Sequence, residues 1–300
     1  MEDFFKNKQG LTEDEFLKEY NPEIYKKPSF TVDMLIFTVM EEEKENYRRL
    51  PKKSLKILLV KRGDHPYLGK WALPGGFISV EEGLDDAANR VLRNETNIQD
   101  IYMEQLYTFG EVHRDPRTRV ISTSYMALID YKSLNIKAGN DEEEASWFNI
   151  DYKIIEEKRE IVENDIIYEE IVEIKLWDKE HELSAKIKIT ENSKGKVTRD
   201  IIEASGIGFD HGKIIGYAVE RLRNKIEYTS LAFNLMPKLF TLTELQQVYE
   251  VILGKELLAA AFRRKVSNMV IETNQFTKDV GHRPSKLFRY NQGWNRNIIF

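Results

Sequence analysis

Three hundred residues, 41% of them hydrophobic and 32% charged, describe a globular chain of about two domains with cores large enough to fold unaided. The absence of cysteine excludes disulfides, thiolate metal sites and a cysteine nucleophile; the most apolar run, Phe30 to Met40, is interrupted by Asp33 and falls short of the ~20 residues that span a membrane. The net charge of −5 is unevenly spread: residues 211–300 carry 14 Lys+Arg against 7 Asp+Glu and the first 210 carry 31 against 43, so only the terminal end suits a polyanion.

The opening stretch, MEDFFKNKQG, has no basic-then-apolar signal pattern, and the expected location is the cytoplasm. Thr12 followed by Glu15 has capping-box spacing, which predicts a short helix to about Tyr20 that Asn21-Pro22 stops. Residues 1–28 are therefore expected to form a helical arm. SFTVDMLIFTV and KILLVKRG read as strands, joined across the solvated insertion EEEKENYRRLPKKS. After a Gly-Gly turn and an acidic helix come IYMEQLYTFG and VISTSYMALID, strands around the polar loop HRDPRTR, and Trp147-Phe148 closes the pattern. Between about 151 and 206, EEIVEIKLW and ELSAKIKIT alternate around DKEH, a hairpin that either extends a sheet or builds a subunit contact. This insert is counted with a first domain of residues 29–207.

The Gly-Gly helix, WALPGGFISVEEGLDDAANRVLRNETNI, carries the most specific spacing. Glu82 stands six residues after Gly76, Arg90 eight further on, and Leu92 and Ile98 fall at apolar positions. This resembles the Nudix box, and the resemblance implies a mixed-sheet α/β/α fold and, in active members, cleavage of nucleoside diphosphate derivatives. Such chemistry needs a hard cation held by carboxylates, and glutamates at i, i+3 and i+4 share one helix face. Those positions here are Val91, Asn94 and Glu95. Two of three carboxylates are missing, so no cofactor is expected to be required, and Mg²⁺ enters only with residual hydrolase activity. Glu82, Arg90 and Glu95 either keep ligand contacts, Glu82 and Glu95 with a weak metal, or Arg90 and Glu95 serve only to brace the loop against the helix. Asn97 replaces the motif's last glycine and tolerates a left-handed turn. Lys61 and Arg62 end a strand leading to the pocket, where they either meet a phosphate or stay solvated. Trp71 either stacks on a ligand or packs beside Leu73-Pro74, and His65 and His113 read as surface residues.

In the terminal segment Asp210 is a suitable N-cap for HGKIIGYAVERLRNKI, and Thr241 with Glu244 forms a second capping box. Leu242, Leu245, Val248, Tyr249, Ile252 and Leu253 then share one face, with Gly254 as the stop. A third helix is predicted over Leu257 to Asn268, with Leu258, Phe262, Val266 and Met269 at core spacing. MVIET and SKLFRYN flank TKDVGHRP as a ribbon. Two helices across a short Gly turn followed by a ribbon is the order of a winged helix-turn-helix. The candidate DNA-binding residues are Arg263, Arg264 and Lys265 on the second of these helices, His282, Arg283 and Lys286 on the ribbon, and Arg221, Arg223 and Lys225 closing the earlier one. An inert solvated face is the alternative for each charge run.

PSFTVDMLIFTV, KRGDHPYLGKWALPGGF, EQLYTFGEVHRDPRTRV, FDHGKIIGYAVERLRNKIEYTSLAF and GHRPSKLFRY together are similar to the Nudix-related transcriptional regulators. That resemblance implies an α+β chain in which a Nudix-like domain (29–207) senses a ligand and a winged helix (208–300) binds double-stranded operator DNA, usually as a homodimer. It implies as effector ADP-ribose, an NAD-related nucleotide or a sugar. Lys61, Arg62, Trp71, Gly76, Glu82, Arg90 and Glu95 are the candidate effector contacts. The expected activity is that of a repressor. The alternatives are a Mg²⁺-dependent hydrolase of ADP-ribose or a related diphosphate, and a module whose basic face meets an acidic protein.

Overall fold

The computed structural model describes residues 6–42, 51–97, 101–133, 144–162, 165–277 and 284–294. Helix α1 (Glu13–Glu19) begins at the expected capping box, with the Glu15 amide donating to Thr12 Oγ1 and the Thr12 amide to Glu15 Oε2. None of its residues is buried.

One large mixed sheet holds β1 (Ser29–Glu41), β2 (Lys53–Lys61), β5 (Tyr102–Phe109), β6 (Val120–Ile129), β7 (Ala145–Val162), β8 (Asp165–Trp177), β9 (Glu182–Asn192) and β10 (Val197–Ser205) in the order β10-β9-β8-β7-β2-β1-β6-β5. The short β3 (Trp71–Ala72) pairs with β2, and β4 (Gly75–Phe77) with β1. Among the described strand pairs of this sheet, only β1–β6 is parallel. β7 to β10 form a four-stranded meander, so the inserted hairpin extends the sheet, and its β8–β9 turn lies at DKEH.

Side chains of β1 divide by the period of a strand. Val32, Met34 and Ile36 join Ala87, Ala88, Val91 and Leu92 of helix α2 (Leu84–Thr96) in one core. Leu35, Phe37 and Val39 face the other core, which continues through helix α3 (His211–Ile226) into the terminal domain. The sheet is thus covered on both faces at β1. α3 buries Ile214, Ile215, Ala218, Val219, Leu222 and Ile226, and contacts β8, β9 and β10 as well as the terminal domain. Gly212 and Gly216 admit the close packing: a Cβ on them would come within 2.6 Å of Ala185 and 2.9 Å of Ile174 and Ile187. The helix was expected to belong to the terminal domain; in the structure it packs chiefly on the sheet.

The terminal domain follows with α4 (Leu242–Leu253), α5 (Ala259–Val266) and the ribbon β11 (Val270–Phe276) and β12 (Lys286–Tyr290). The Thr241–Glu244 capping box is formed, and Gly254 ends α4 in the left-handed region at φ 68°, which only glycine adopts freely. Phe240 forms an isolated antiparallel bridge to Phe288 beside the ribbon. α5 is shorter than expected. Leu258, predicted as core, is its exposed N-cap, and its neighbour Leu257 packs inward instead.

Candidate effector pocket and nucleic-acid interface

The Gly-Gly turn sits where β4 crosses β1. A Cβ on Gly75 would lie 2.7 Å from both Asp33 Oδ1 and the Val32 carbonyl oxygen, so this position admits no side chain. At Gly76 a Cβ would make ordinary contacts with Arg90 and Val91. α2 ends on Asn97 at φ 55°, the left-handed turn for which asparagine was expected to stand in. Ile98 lies outside the described residues. Arg90 grips Glu82 with two bonds of 2.6 and 2.8 Å, and donates a third to the Phe77 carbonyl at 3.1 Å. Both residues brace the loop against the helix, and the guanidinium holds the Glu82 carboxyl below its ordinary pKa.

Beside this turn is a cavity of about 290 Å³ lined by Asp33, Arg62, Gly76, Glu95, Arg117 and Phe209 among others. Of the candidate effector contacts it thus gathers Arg62, Gly76 and Glu95. Trp71 is buried, edge-on to Phe148 at 4.8 Å and to His181 at 5.1 Å, so the packed alternative holds for it. Lys61 pairs with Glu144 at 2.8 Å and does not line the cavity. His65 and His113 are exposed. Val91 is buried in the α2 core, Asn94 is exposed, and Tyr125 donates to Asp85 at 2.6 Å. Glu95 is the one residue of the helical trio on the cavity wall with a carboxylate, and no group of three His, Asp or Glu gathers for a metal among the described residues. This donor set does not fit a catalytic divalent cation.

Asp33, Arg114 and His211, which the sequence did not single out as site residues, also line this cavity, and Asp210, read from the sequence only as an N-cap, is their partner. Arg114, only 5% exposed, donates to Asp210 at 2.8 and 3.0 Å and reaches Asp33 at 3.5 Å. Ser122 donates to Asp33 at 2.5 Å. Asp210 occupies the N-cap position of α3 but makes no capping bond; its carboxylate is taken by Arg114, because a bidentate charge-assisted pair outcompetes a single amide. The buried His211 accepts the Leu73 amide on Nδ1 at 2.8 Å, which leaves the ring proton on Nε2, 3.9 Å from Asp33 Oδ1. Burial pushes its pKa down against the pull of Asp33 and Asp210, so the ring is neutral. Arg62 lies 5.0 Å over the Phe209 ring, and Arg117 pairs with Asp115 while lying 5.5 Å over Phe77. The only advance signal was the polar character of HRDPRTR and the FDHGK segment.

At its other end α3 is clamped to the terminal domain. Arg223 donates to the Ile252 carbonyl at 2.9 Å and to the Tyr152 carbonyl at 3.3 Å, and stacks 4.7 Å from the Tyr152 ring. Lys225 is bonded to Glu104, and Arg221 to the Tyr217 hydroxyl at 3.0 Å. These three were expected to meet phosphates; Arg223 and Lys225 are instead engaged within the protein, because they lie where α3 meets the sheet and α4. Arg263, Arg264 and Lys265 are exposed on α5 opposite the buried Phe262 and Val266. Lys265 pairs with Glu227 at 2.5 Å and Lys286 with Glu272, whereas Arg263 and Arg264 carry no ion pair among the described residues. His282 and Arg283 lie outside the described residues.

A Nudix-type cavity, walled by the first turn of a helix that runs on into a winged helix, defines a ligand-sensing DNA-binding protein. Residues 47–169 match the NUDIX domain, and residues 232–290 match the NrtR DNA-binding winged helix domain. The ADPR responsive transcriptional repressor NtrR of Acinetobacter baylyi is 33% identical over 283 residues, covering 93% of this chain and 88% of that protein. A MutT/nudix family protein from Enterococcus faecalis superimposes with a TM-score of 0.66 at 29% identity, over 94% of each chain. NrtR of Shewanella oneidensis, complexed with a 27mer DNA, does so with a TM-score of 0.59 at 28% identity, over 89% of this chain and 95% of that one. The chain belongs to the NrtR family of Nudix-related transcriptional regulators.

Proposed function

We propose that this protein is an ADP-ribose-responsive repressor of the cytoplasm, acting as a homodimer on double-stranded operator DNA and requiring no metal or other cofactor. One observation carries the reading: α3 is fixed to the pocket at one end, through Arg114 and Asp210, and to the last turn of α4 at the other, through Arg223. Arg62 and Arg117 line the same pocket as Arg114, and guanidiniums are suited to the oxygens of a diphosphate. A diphosphate bound there competes with Asp33 and Asp210 for Arg114 and loosens the first turn of α3. The far end of the same helix then repositions α4 and α5, and a pair of winged helices loses its match to the two half-sites. Coupling of this kind is typically ~1–3 kcal/mol, or about 5–150-fold in affinity.

The similarity to the Acinetobacter regulator over nearly the whole chain supports this choice of effector. The test is an operator shift with the protein's own upstream DNA, repeated with ADP-ribose, NAD, phosphorylated sugars and free pentoses. ADP-ribose is expected to weaken the complex by at least about fivefold. An operator affinity that none of these compounds changes overturns the sensor reading.

Glu95 on the cavity wall supports the competing hydrolase reading. Incubation of ADP-ribose with the protein and Mg²⁺ or Mn²⁺ is expected to give no turnover. Turnover that disappears in Glu95→Gln would replace the sensor with an enzyme.

A further inference from the structure

The sheet is open, yet its two edge strands, β5 and β10, come together on α3 from opposite sides. Glu104 of β5 is bonded to Lys225, and Arg199 of β10 holds Glu220 at 2.9 and 3.0 Å. In this seam lies a second cavity of about 690 Å³, within the ~300–1,000 Å³ range of small-molecule pockets. Its lining residues come from β5, Glu111 of the loop that follows it, the β9–β10 turn, β10 and α3, and none belongs to the Gly-Gly helix.

Three rings gather on its wall. Tyr107 lies 5.1 Å from Phe109 and 5.3 Å from Tyr217, and Phe109 lies 6.0 Å from Tyr217. Two guanidiniums accompany them, Arg199 at 4.7 Å and Arg221 at 5.5 Å from the Tyr217 ring. Tyr107 is 51% exposed, an open aromatic surface. Register shifts interrupt both edge strands here, between Gln105 and Tyr107 in β5 and between Ile201 and Glu203 in β10. Such bulges commonly re-aim side chains beside functional sites. Arg199 Nε is buried and has no hydrogen-bond partner among the described residues, although its terminal nitrogen is held by Glu220. A buried donor without an acceptor costs free energy that a ligand's acceptor would recover.

We propose that this seam is a second small-molecule site, separate from the effector pocket, which takes a flat nitrogen heterocycle of the nucleobase type, free or as its nucleoside. Tyrosine and arginine faces stack on such rings, and Arg199, Asp200 and Asn224 supply donors and acceptors for a ring edge. Two of the three cations on the wall already hold carboxylates, Arg199 with Glu220 and Lys213 with Glu111, so the wall favours a ring over a phosphate.

The test is calorimetric titration of the full chain with adenosine while ADP-ribose is held at saturation, with free ribose as the ring-less control. Adenosine is expected to bind one site per chain and ribose to show no heat. Tyr107→Ala is expected to weaken binding by at least about fivefold, the lower end of what one stacked base contributes. Thr198→Trp, which fills the cavity from an exposed strand position, is expected to abolish it. Arg62→Ala, which removes a side chain from the effector-pocket wall and none from the seam, leaves adenosine binding unchanged. The proposal is overturned if adenosine fails to bind at millimolar concentration, is displaced by ADP-ribose, or binds equally well to both seam variants.

Discussion

At the scale of single residues, two neighbouring glycines of one motif have different tasks. A methyl group on Gly75 meets the Val32 carbonyl at 2.7 Å, on a strand paired along its whole length, and cannot be relieved by rotating a side chain. Gly75→Ala is expected to cost about 1–3 kcal/mol, as overpacking does, and to lower the melting temperature. Gly76→Ala meets only Arg90 and Val91 beyond 3.5 Å and is expected to melt close to the wild type. Equal melting temperatures for the two variants would refute this division. His211 makes a second residue-scale prediction. Asp33, Asp210, Arg114 and Arg62 act on its ring, and desolvation outweighs the two carboxylates, so its folded pKa lies below the ordinary 6.5. Below about pH 6.5 the unfolded chain binds the proton more readily, and stability present above that pH is lost as the pH falls through the folded pKa. Melting curves from pH 7.5 to 5 should fall more steeply for the wild type than for His211→Asn, which retains an acceptor for the Leu73 amide.

At the scale of elements, α3 is where sequence and structure part. Its helical nature was legible, and so were both capping boxes, the Gly-Gly helix with its left-handed Asn97 and the strand pairs. All of these depend on neighbours within a few residues. The role of Asp210 was not, because its Arg114 partner is 96 residues away. Nor could local spacing tell Arg223, half-buried against two carbonyls, from Arg263, exposed on α5; both are basic residues on helices. The cavity beside the Gly-Gly turn was therefore legible in its Gly-Gly half and hidden in the half that β1, the 110–119 loop and α3 assemble. Arg223 makes the element-scale prediction. Arg223→Ala leaves the Ile252 and Tyr152 carbonyls without this donor, which is expected to cost about 1–3 kcal/mol of stability. Because the clamp joins α3 to α4, the variant should still shift operator DNA, but the ratio of affinities without and with ADP-ribose should fall toward one. A variant with an unchanged ratio would remove α3 from the signalling path.

At the scale of the whole molecule, charge is divided as the two tasks require, with an acidic body carrying a basic end. A body of like sign to DNA disfavours non-specific contact, so attraction is confined to the few cations of the winged helix. Those cations are not equivalent. Lys265 and Lys286 already neutralise Glu227 and Glu272, whereas Arg263 and Arg264 stand on the exposed face of α5 without an ion pair among the described residues. Each phosphate contact contributes about 0.9 to the slope of log affinity against log salt. Removing both arginines should therefore flatten the slope by about 1.8 and weaken binding at low salt most. Lys265→Ala should change the slope far less, since Glu227 already neutralises that lysine and the counterion release it supplies is small. Operator titrations between 50 and 300 mM salt, on the order of the physiological range, separate the cases. An unchanged slope in Arg263→Ala with Arg264→Ala would move the phosphate contacts off α5 and onto the ribbon.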